Sequence, residues 1–212
     1  MNLAAAMPAV PSRRPWRLAL LAPLLFVLAA CDINAVPRLD EQVTAAWAQV
    51  ENQYQRRADL IPNLVETVKG FAAQEREVLT AVTEARASVG RMQLPANITE
   101  NPEALKLFEQ NQGALGSALS RLMVTVERYP DLKSNQNFLA LQSQLEGTEN
   151  RIAVARRDYI TAVQAYNTNL RTIPGRWIAA ILYPDAVVKA NFTATTPGAE
   201  QAPRVNFGSD AK

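Results

Sequence analysis

The central part of the chain repeats its apolar residues with the period of an α-helix. Between residues 39 and 89 apolar side chains recur in steps of three and four, which place them on one helical face. A second apolar stripe starts at Tyr54 and overlaps the first, so this helix is predicted to contact two neighbours. Residues 105–129 and 138–173 keep the same steps, and no strand-like alternation lies between them. The pattern predicts an all-α fold, an antiparallel up-and-down bundle of long helices.

Capping residues and prolines predict where these helices begin and end. Residues 90–99 contain glycine, proline and asparagine and are predicted to form a loop. The sequence NPE at 101–103 combines a capping residue, a proline at the first helical position and an acid in the first turn. Gly113 and Gly116 lie beside the stripe of this second helix, where they either allow a neighbouring backbone to come close or weaken the helix locally.

Pro62 decides how many helices the first stripe forms. A proline inside a helix removes one backbone hydrogen bond and costs about 3 kcal/mol unless the helix bends or restarts. If the helix breaks here with Asp59 as the cap, the last helix returns to the level where the first begins. The four helices are then 39–58, 62–90, 102–129 and 135–173. If Pro62 only kinks the helix, three long helices result and the last one ends far from that level.

The first thirty residues do not belong to the helical bundle pattern. Three arginines precede an apolar run that ends in small residues before Cys31, which is the pattern of an export signal. LAAC at residues 28–31 resembles the lipobox of bacterial lipoproteins, in which the cysteine is lipidated and begins the mature chain. The alternative is an uncleaved anchor helix, for which the run is short, since a bilayer span needs about 20 residues. Both readings predict attachment to the cell membrane with the rest of the chain on the extracytoplasmic, periplasmic side.

The predicted organisation has five parts. Residues 1–30 are a signal or anchor segment, 31–38 a tether, 39–175 the bundle, 176–190 a short amphipathic segment and 191–212 a mobile tail. The segment 176–190 contains Trp177 and is too short to be an independent helix. It is predicted to dock either on the end of the bundle or at the membrane interface, which tryptophan and tyrosine favour.

Composition excludes most catalytic chemistry. The chain has no histidine, and its only cysteine is at the processing site, so Cys/His, Ser/His/Asp, zinc-His and haem-His arrangements are excluded. Glu146-x-x-Glu149 lacks the histidine of a carboxylate di-iron site, so solvated or ion-paired acids are predicted instead. Removal of residues 1–30 takes away three arginines and no acids, which lowers the formal charge from +2 to −1 and leaves no basic excess for nucleic acid. No catalytic residue, metal or cofactor is predicted.

The stretch QRRADLIPNL at residues 55–64 places two arginines in different surroundings. Arg56 and Asp59 lie on a polar face and are predicted to form an i,i+3 pair that contributes about 0.2–0.5 kcal/mol. Arg57 lies on the apolar stripe, where its stem can cover the core while its guanidinium reaches a carboxylate. Glu146 and Glu149 on the last helix are the predicted partners.

Three long segments carry a family resemblance. They are AWAQVENQYQRRADLIPNLVETVKGFAAQEREVLTAVTEARA, GALSRLMVTVERYPDLKSNQNFL and LQSQLEGTENRIAVARRDYITAVQAYNTNLRTIPG, and the likeness extends to the closing PRVNF. They resemble the LemA family, which implies a bacterial membrane-anchored four-helix bundle on the extracytoplasmic side, without an established enzymatic activity. Many relatives keep a plain transmembrane helix where this chain has LAAC.

The resulting prediction is a non-enzymatic, membrane-anchored envelope protein. Its bundle is expected to act in interaction or scaffolding, with other envelope proteins or a second copy as partner and without nucleic acid. Two alternatives are a carboxylate- or metal-dependent enzyme and a bundle that binds an apolar ligand between its helices.

Overall fold

Four long helices and two short ones form the part of the chain that the structure, a computed structural model, describes, residues 33–193. In chain order they are α1 (Ala35–Lys69), α2 (Arg76–Arg91), α3 (Pro102–Val126), α4 (Pro130–Lys133), α5 (Gln136–Arg171) and α6 (Gly175–Leu182), with a 3-10 turn at Ile98–Glu100 before α3. These residues contain no β-strand, and the helices pack on one another. The predicted all-α bundle is confirmed.

The two longest helices, α1 and α5, pack side by side in opposite directions. Tyr54 lies opposite Arg156, and Arg57, one turn further along α1, lies opposite Glu149. Helix α2 returns along α1, and α3 packs on α2. Helix α5 therefore ends where α1 begins, as the four-helix alternative predicted.

The buried side chains form two clusters along the bundle. The basal cluster, near the start of α1, is built around Trp47, whose ring meets Phe108 at 5.3 Å and Tyr159 at 5.5 Å between centroids, both edge to face. Such pairs contribute about 0.5–1.5 kcal/mol beyond the area they bury. The distal cluster is aliphatic apart from one phenylalanine, and its largest fully buried members are Ile61, Leu64, Leu115, Leu122, Leu132 and Phe138.

Helix α1 continues through Pro62 as far as Lys69, and the chain reverses at residues 70–75. The predicted helix ends at residues 58 and 62 are therefore wrong. Pro62 has no N–H for the carbonyl of Ala58, and Arg86 of α2 supplies the missing donor, its Nε–H donating to that oxygen at 3.1 Å. The four-helix topology is kept because the turn at 70–75 makes the reversal.

This replacement donor predicts a coupling between Arg86 and Pro62. Arg86→Ala leaves the carbonyl of Ala58 without a donor and should cost about 1 kcal/mol of unfolding free energy. In a Pro62→Ala background the new backbone N–H supplies the helical bond, so the same change should cost much less. Chemical denaturation of the four proteins in a double-mutant cycle measures the difference. Equal costs in both backgrounds would contradict the assignment.

Asparagine side chains cap two of the three helices that form the candidate site. The Oδ1 atom of Asn101 accepts from the backbone N–H groups of Glu103 and Ala104 at the start of α3. Asn135 caps α5 in the same way. These caps fix where α3 and α5 begin, and so which side chains of the two helices face each other.

After α6, residues 183–193 return along the bundle as an extended segment, here named the C-terminal strap. Asn167 exchanges two hydrogen bonds of 2.9 and 2.8 Å with the backbone of Lys189, and Tyr159 donates to the carbonyl of Ala190 at 2.8 Å. The ring of Phe192 packs 5.2 Å from that of Tyr159. Phe192, predicted to lie in a mobile tail, is therefore packed on the core.

Several predictions fall on residues outside the described range. The signal segment, Cys31 and residues 194–212 are among them. Within residues 33–193, no helix combines the length and the apolar character that a bilayer crossing requires.

Candidate functional site

A buried polar network joins α1, α3 and α5 at Arg57. The side chain of Arg57 is only 5% exposed. Its Nη1 donates to Oε1 of Glu149 on α5 at 3.0 Å, and its Nη2 donates to Oε1 and the backbone oxygen of Gln112 on α3 at 2.6 and 3.1 Å. One guanidinium therefore ties three helices together at mid-height of the bundle.

A second arginine–glutamate pair lies on the basal side of Arg57. Glu109 of α3, whose side chain is 2% exposed, accepts from Nη2 of Arg156 at 2.9 Å. Nη1 of Arg156 donates to the hydroxyl of Tyr54 at 3.2 Å, and the Tyr54 ring lies 5.0 Å from the Arg57 guanidinium. Each buried charge thus has an opposite charge beside it, as the cost of burying an ion requires.

The C-terminal strap ends on this network. The guanidinium of Arg156 lies 4.1 Å from the centre of the Phe192 ring. The backbone N–H and the hydroxyl of Thr193 approach Oε2 of Glu109 at 3.4 and 3.3 Å. The strap is therefore held by the same charges that join α3 to α5.

An open groove between α3 and α5 runs past the network, and it is here named the α3–α5 groove. A Cβ atom added at Gly113 would meet no atom within 4 Å, and one added at Gly116 would meet only Nη1 of Arg57, at 4.0 Å. The close backbone approach considered for these glycines is therefore wrong, and they leave the groove open. The other residues that line it are Tyr54, Arg57, Glu109, Gln112, Leu119, Ser120, Met123, Gln142, Leu145, Glu146, Glu149, Ile152, Ala153, Arg156, Arg157 and Ile160.

The structure separates the remaining predicted residues. Asp59 accepts from Gln55 at 2.8 Å and makes no ion pair with Arg56, so that predicted pair is wrong. Both residues are exposed, where an ion pair gains little and a neighbour can displace it. Glu146 accepts from Gln142 on its own helix and is not a partner of Arg57. Among the described residues, no group of three histidine, cysteine, aspartate or glutamate side chains could hold a metal ion.

The basal end of the bundle carries an exposed apolar surface. Helix α6 buries Gly175 and Ala179 against the bundle and leaves Trp177 and Ile181 60% and 77% exposed. The hydroxyl of Tyr183 donates to the backbone oxygen of Ile33 at 3.2 Å. The exposed apolar residues at this end, Ile33, Ile173, Trp177, Ile181 and Leu182, are here named the basal surface, and they include the residue two positions after Cys31.

The buried ammonium group of Lys189 binds the C-terminal strap to α1 and the 3-10 turn near the basal end. Nζ of Lys189 lies 2.7 Å from Asp40 of α1 and 2.8 Å from Glu100 of the 3-10 turn. Burial alone would lower the pKa of Lys189, but its hydrogen bonds to the two carboxylates outweigh burial and raise that pKa above its ordinary value. A raised pKa stabilises the fold below the unfolded value of about 10.4, so the contact holds at neutral pH and weakens only in strong base.

Comparison with known proteins places the chain in a family. The sequence model of the LemA family matches residues 46–207. The chain belongs to the LemA family. Magnetosome protein MamQ 2 of Paramagnetospirillum magneticum is 27% identical over 164 residues, which cover 70% of this chain and 60% of the relative. MamQ of Magnetospirillum gryphiswaldense is 26% identical with the same coverage. Protein LemA of Metamycoplasma hominis is 21% identical over 139 residues, which cover 66% of this chain and 59% of the relative.

This LemA-family chain spans about 60% of the length of the two MamQ relatives, and none of the three names denotes an enzyme.

The sequence analysis missed two of the four charged residues in the buried polar network. Glu109 and Arg156 were not predicted because a surface charge and a buried charge look alike in a sequence. Gln112 does carry a signal, since it is a polar residue on the apolar stripe of α3.

Proposed function

We propose that this LemA-family protein is a non-enzymatic, lipid-anchored scaffold that stands on the membrane and presents its bundle to other envelope proteins or to a second copy. The observation that carries the proposal is the basal surface beside Ile33. Its tryptophan and aliphatic side chains suit the boundary between headgroups and acyl chains. Family membership and the magnetosome proteins among the relatives support association with a membrane.

The anchor and the basal surface act together in this proposal. Two residues of extended chain span about 7 Å, so a lipid on Cys31 keeps Ile33 near the headgroups. The lipid on Cys31 holds the chain on the membrane, and the apolar side of α6 then contacts the same bilayer surface. The exposed Arg171 and Arg176 add attraction to anionic lipids.

Processing at Cys31 is the first expected result. Mass spectrometry of the membrane-bound protein should find a mature chain that begins at Cys31 and carries lipid, because the basic run, the apolar run and LAAC precede it. Cys31→Ser should block this processing. A mature chain that keeps Met1 or Met7 would contradict lipidation.

Crosslinking in intact cells tests the scaffold role. Tagged protein is crosslinked before lysis, purified and compared with the Cys31→Ser form. A reproducible set of envelope proteins, or a crosslinked pair of copies, that depends on the anchor is expected. The purified protein is also assayed for hydrolysis with divalent metals added. Hydrolysis that depends on carboxylates of the bundle, or no crosslinked partner at all, would contradict the proposal.

A further inference from the structure

A cleft of about 510 Å³ opens between α1, α2, α3 and the loop that follows α2, and it is here named the Arg86 cleft. Its apolar lining comes from the buried rings of Tyr54 and Phe108 and from the partly buried side chains of Met92 and Leu94. Sites for small molecules have volumes of about 300–1,000 Å³ and a mostly apolar lining with a few polar groups. The cleft therefore has the size and the lining of such a site.

Arg86 is held in this cleft by one edge of its guanidinium. Its Nε–H donates to the carbonyl of Ala58, which Pro62 leaves without a helical donor. Among residues 33–193, no acceptor binds the two terminal nitrogens of Arg86, and no carboxylate forms an ion pair with it. The proline thus fixes the orientation of the guanidinium and leaves its terminal edge available to another partner.

The charges around the cleft favour an anionic ligand. Arg91, the last residue of α2, also lines the cleft, and Glu51 is the one acid among the described residues that do so. In this part of the chain neither arginine makes an ion pair with Glu51. A guanidinium binds a carboxylate or a phosphate through two parallel hydrogen bonds. A ligand that uses the whole cleft therefore carries an anionic head on an apolar or aromatic body.

We propose that the Arg86 cleft binds a small amphipathic anion, a carboxylate or a phosphate monoester with an apolar or aromatic body. The anionic head accepts hydrogen bonds from the terminal nitrogens of Arg86, and Arg91 adds positive potential. The body lies against Met92 and Leu94. This inference is independent of the scaffold role and of the membrane contact, because the cleft shares no residue with the basal surface.

Photo-labelling of the full, membrane-bound chain with p-benzoylbenzoate tests this site. The probe joins a carboxylate to a benzophenone, which reacts with nearby C–H bonds on irradiation, and the adducts are mapped by mass spectrometry. Adducts are expected on Met92 and Leu94. The cation (p-benzoylbenzyl)trimethylammonium carries the same benzophenone and should label these two residues several-fold less. Equal labelling by the two probes, or no labelling of Met92 and Leu94, would overturn the inference.

A change at Arg86 tests the proposed anion contact. Arg86→Gln should reduce the Met92 adducts about tenfold, because it removes charge-assisted hydrogen bonds. The change is made in the unaltered chain and in the Pro62→Ala chain, where a backbone N–H serves the carbonyl of Ala58, and the same fall is expected in both. Arg56→Gln removes an exposed arginine of α1 outside the cleft and should leave the adducts unchanged. A fall only in the unaltered chain, or an equal fall with Arg56→Gln, would contradict the contact.

Two glycines give a matched test of the space. A Cβ atom added at Gly90, which lines the Arg86 cleft, or at Gly113, which lines the α3–α5 groove, would meet no atom within 4 Å. Leucine at either position improves helix propensity. Only Gly90→Leu should reduce the adducts, several-fold, because only it fills the cleft. Undiminished adducts in Gly90→Leu, or an equal reduction in Gly113→Leu, would count against the site.

Competition with unlabelled compounds identifies the anionic head. Naphthoate and naphthyl phosphate share an aromatic body and differ in the head, so the compound that suppresses the adducts at the lower concentration shows which head the cleft prefers. Inorganic phosphate lacks the body and should compete much more weakly than naphthyl phosphate. Equal competition by inorganic phosphate, or no competition by either naphthyl compound, would overturn the inference.

Discussion

Arg57→Ala should lower the free energy of unfolding by about 3 kcal/mol, whereas Arg56→Ala should change it by less than about 0.5 kcal/mol. The first change removes a side chain that is 5% exposed and leaves both oxygens of Gln112 without the donor that they share. The second removes an exposed side chain that makes no ion pair with Asp59. Two neighbouring arginines therefore differ because only one points into the bundle.

Thermal melts of the two variants measure this contrast. For a chain of this size, 3 kcal/mol corresponds to a Tm shift of about 6–12 °C. Arg57→Lys is the matched control for charge, since an ammonium group cannot reach Glu149 and Gln112 with the same fork. It should fall between the alanine variant and the unchanged protein. Equal, small Tm shifts for Arg56→Ala and Arg57→Ala would show that Arg57 is not needed for stability and could instead bind a partner.

Our hypothesis is that this network specifies the helix register more than it adds net stability. Replacing buried ion pairs with apolar residues often costs nothing, and Nε of Arg57 is buried with no partner in the described residues. An aliphatic interior alone would not distinguish positions of α3 that differ by one helical turn, because leucines one turn apart are equivalent to the core. Arg57 contacts Gln112 and Glu149 only at one relative height of the three helices.

The helices could be predicted from the sequence because each long one carries an apolar stripe in steps of three and four. Those stripes and the NPE cap predicted α3 and α5 to within three residues at each end. The effect of Pro62 on its helix could not be predicted from the local sequence. Its local cost depends on whether another helix supplies a donor to Ala58, and the donor, Arg86, lies 28 positions away.

Residues of the candidate site were predicted only where a charged residue interrupted an apolar stripe. Arg57 interrupts an apolar stripe, so its burial and its need for a carboxylate followed, although the choice between Glu146 and Glu149 needed the register of α5. Arg156 is a charge among other charges on its helix, and Phe192 follows a stretch without periodicity. Their contact is made by a chain reversal that no local pattern encodes.

Fluorescence of Trp177 should be strongly quenched by brominated lipids. In the basal surface the indole ring is 60% exposed and lies on the end of the bundle that contains Ile33, so under the proposed function it should enter the headgroup boundary. The measurement uses the membrane-bound protein with Trp47 changed to Phe. Trp16 lies in the predicted signal, which the proposed processing removes, so Trp177 would then be the only tryptophan of the mature chain.

Paired aspartate variants show whether the basal surface makes this contact. Ile181→Asp puts a charge on the apolar side of α6 and should reduce the quenching, because a carboxylate resists transfer into the lipid boundary. Val124→Asp is the matched control, since Val124 is 72% exposed but lies near the distal end of α3, tens of Å away along the roughly 50 Å length of α1. Val124→Asp should leave the quenching unchanged. Absence of quenching in protein shown to be membrane-bound would remove the membrane-contact role, and α6 would then only cover the end of the bundle.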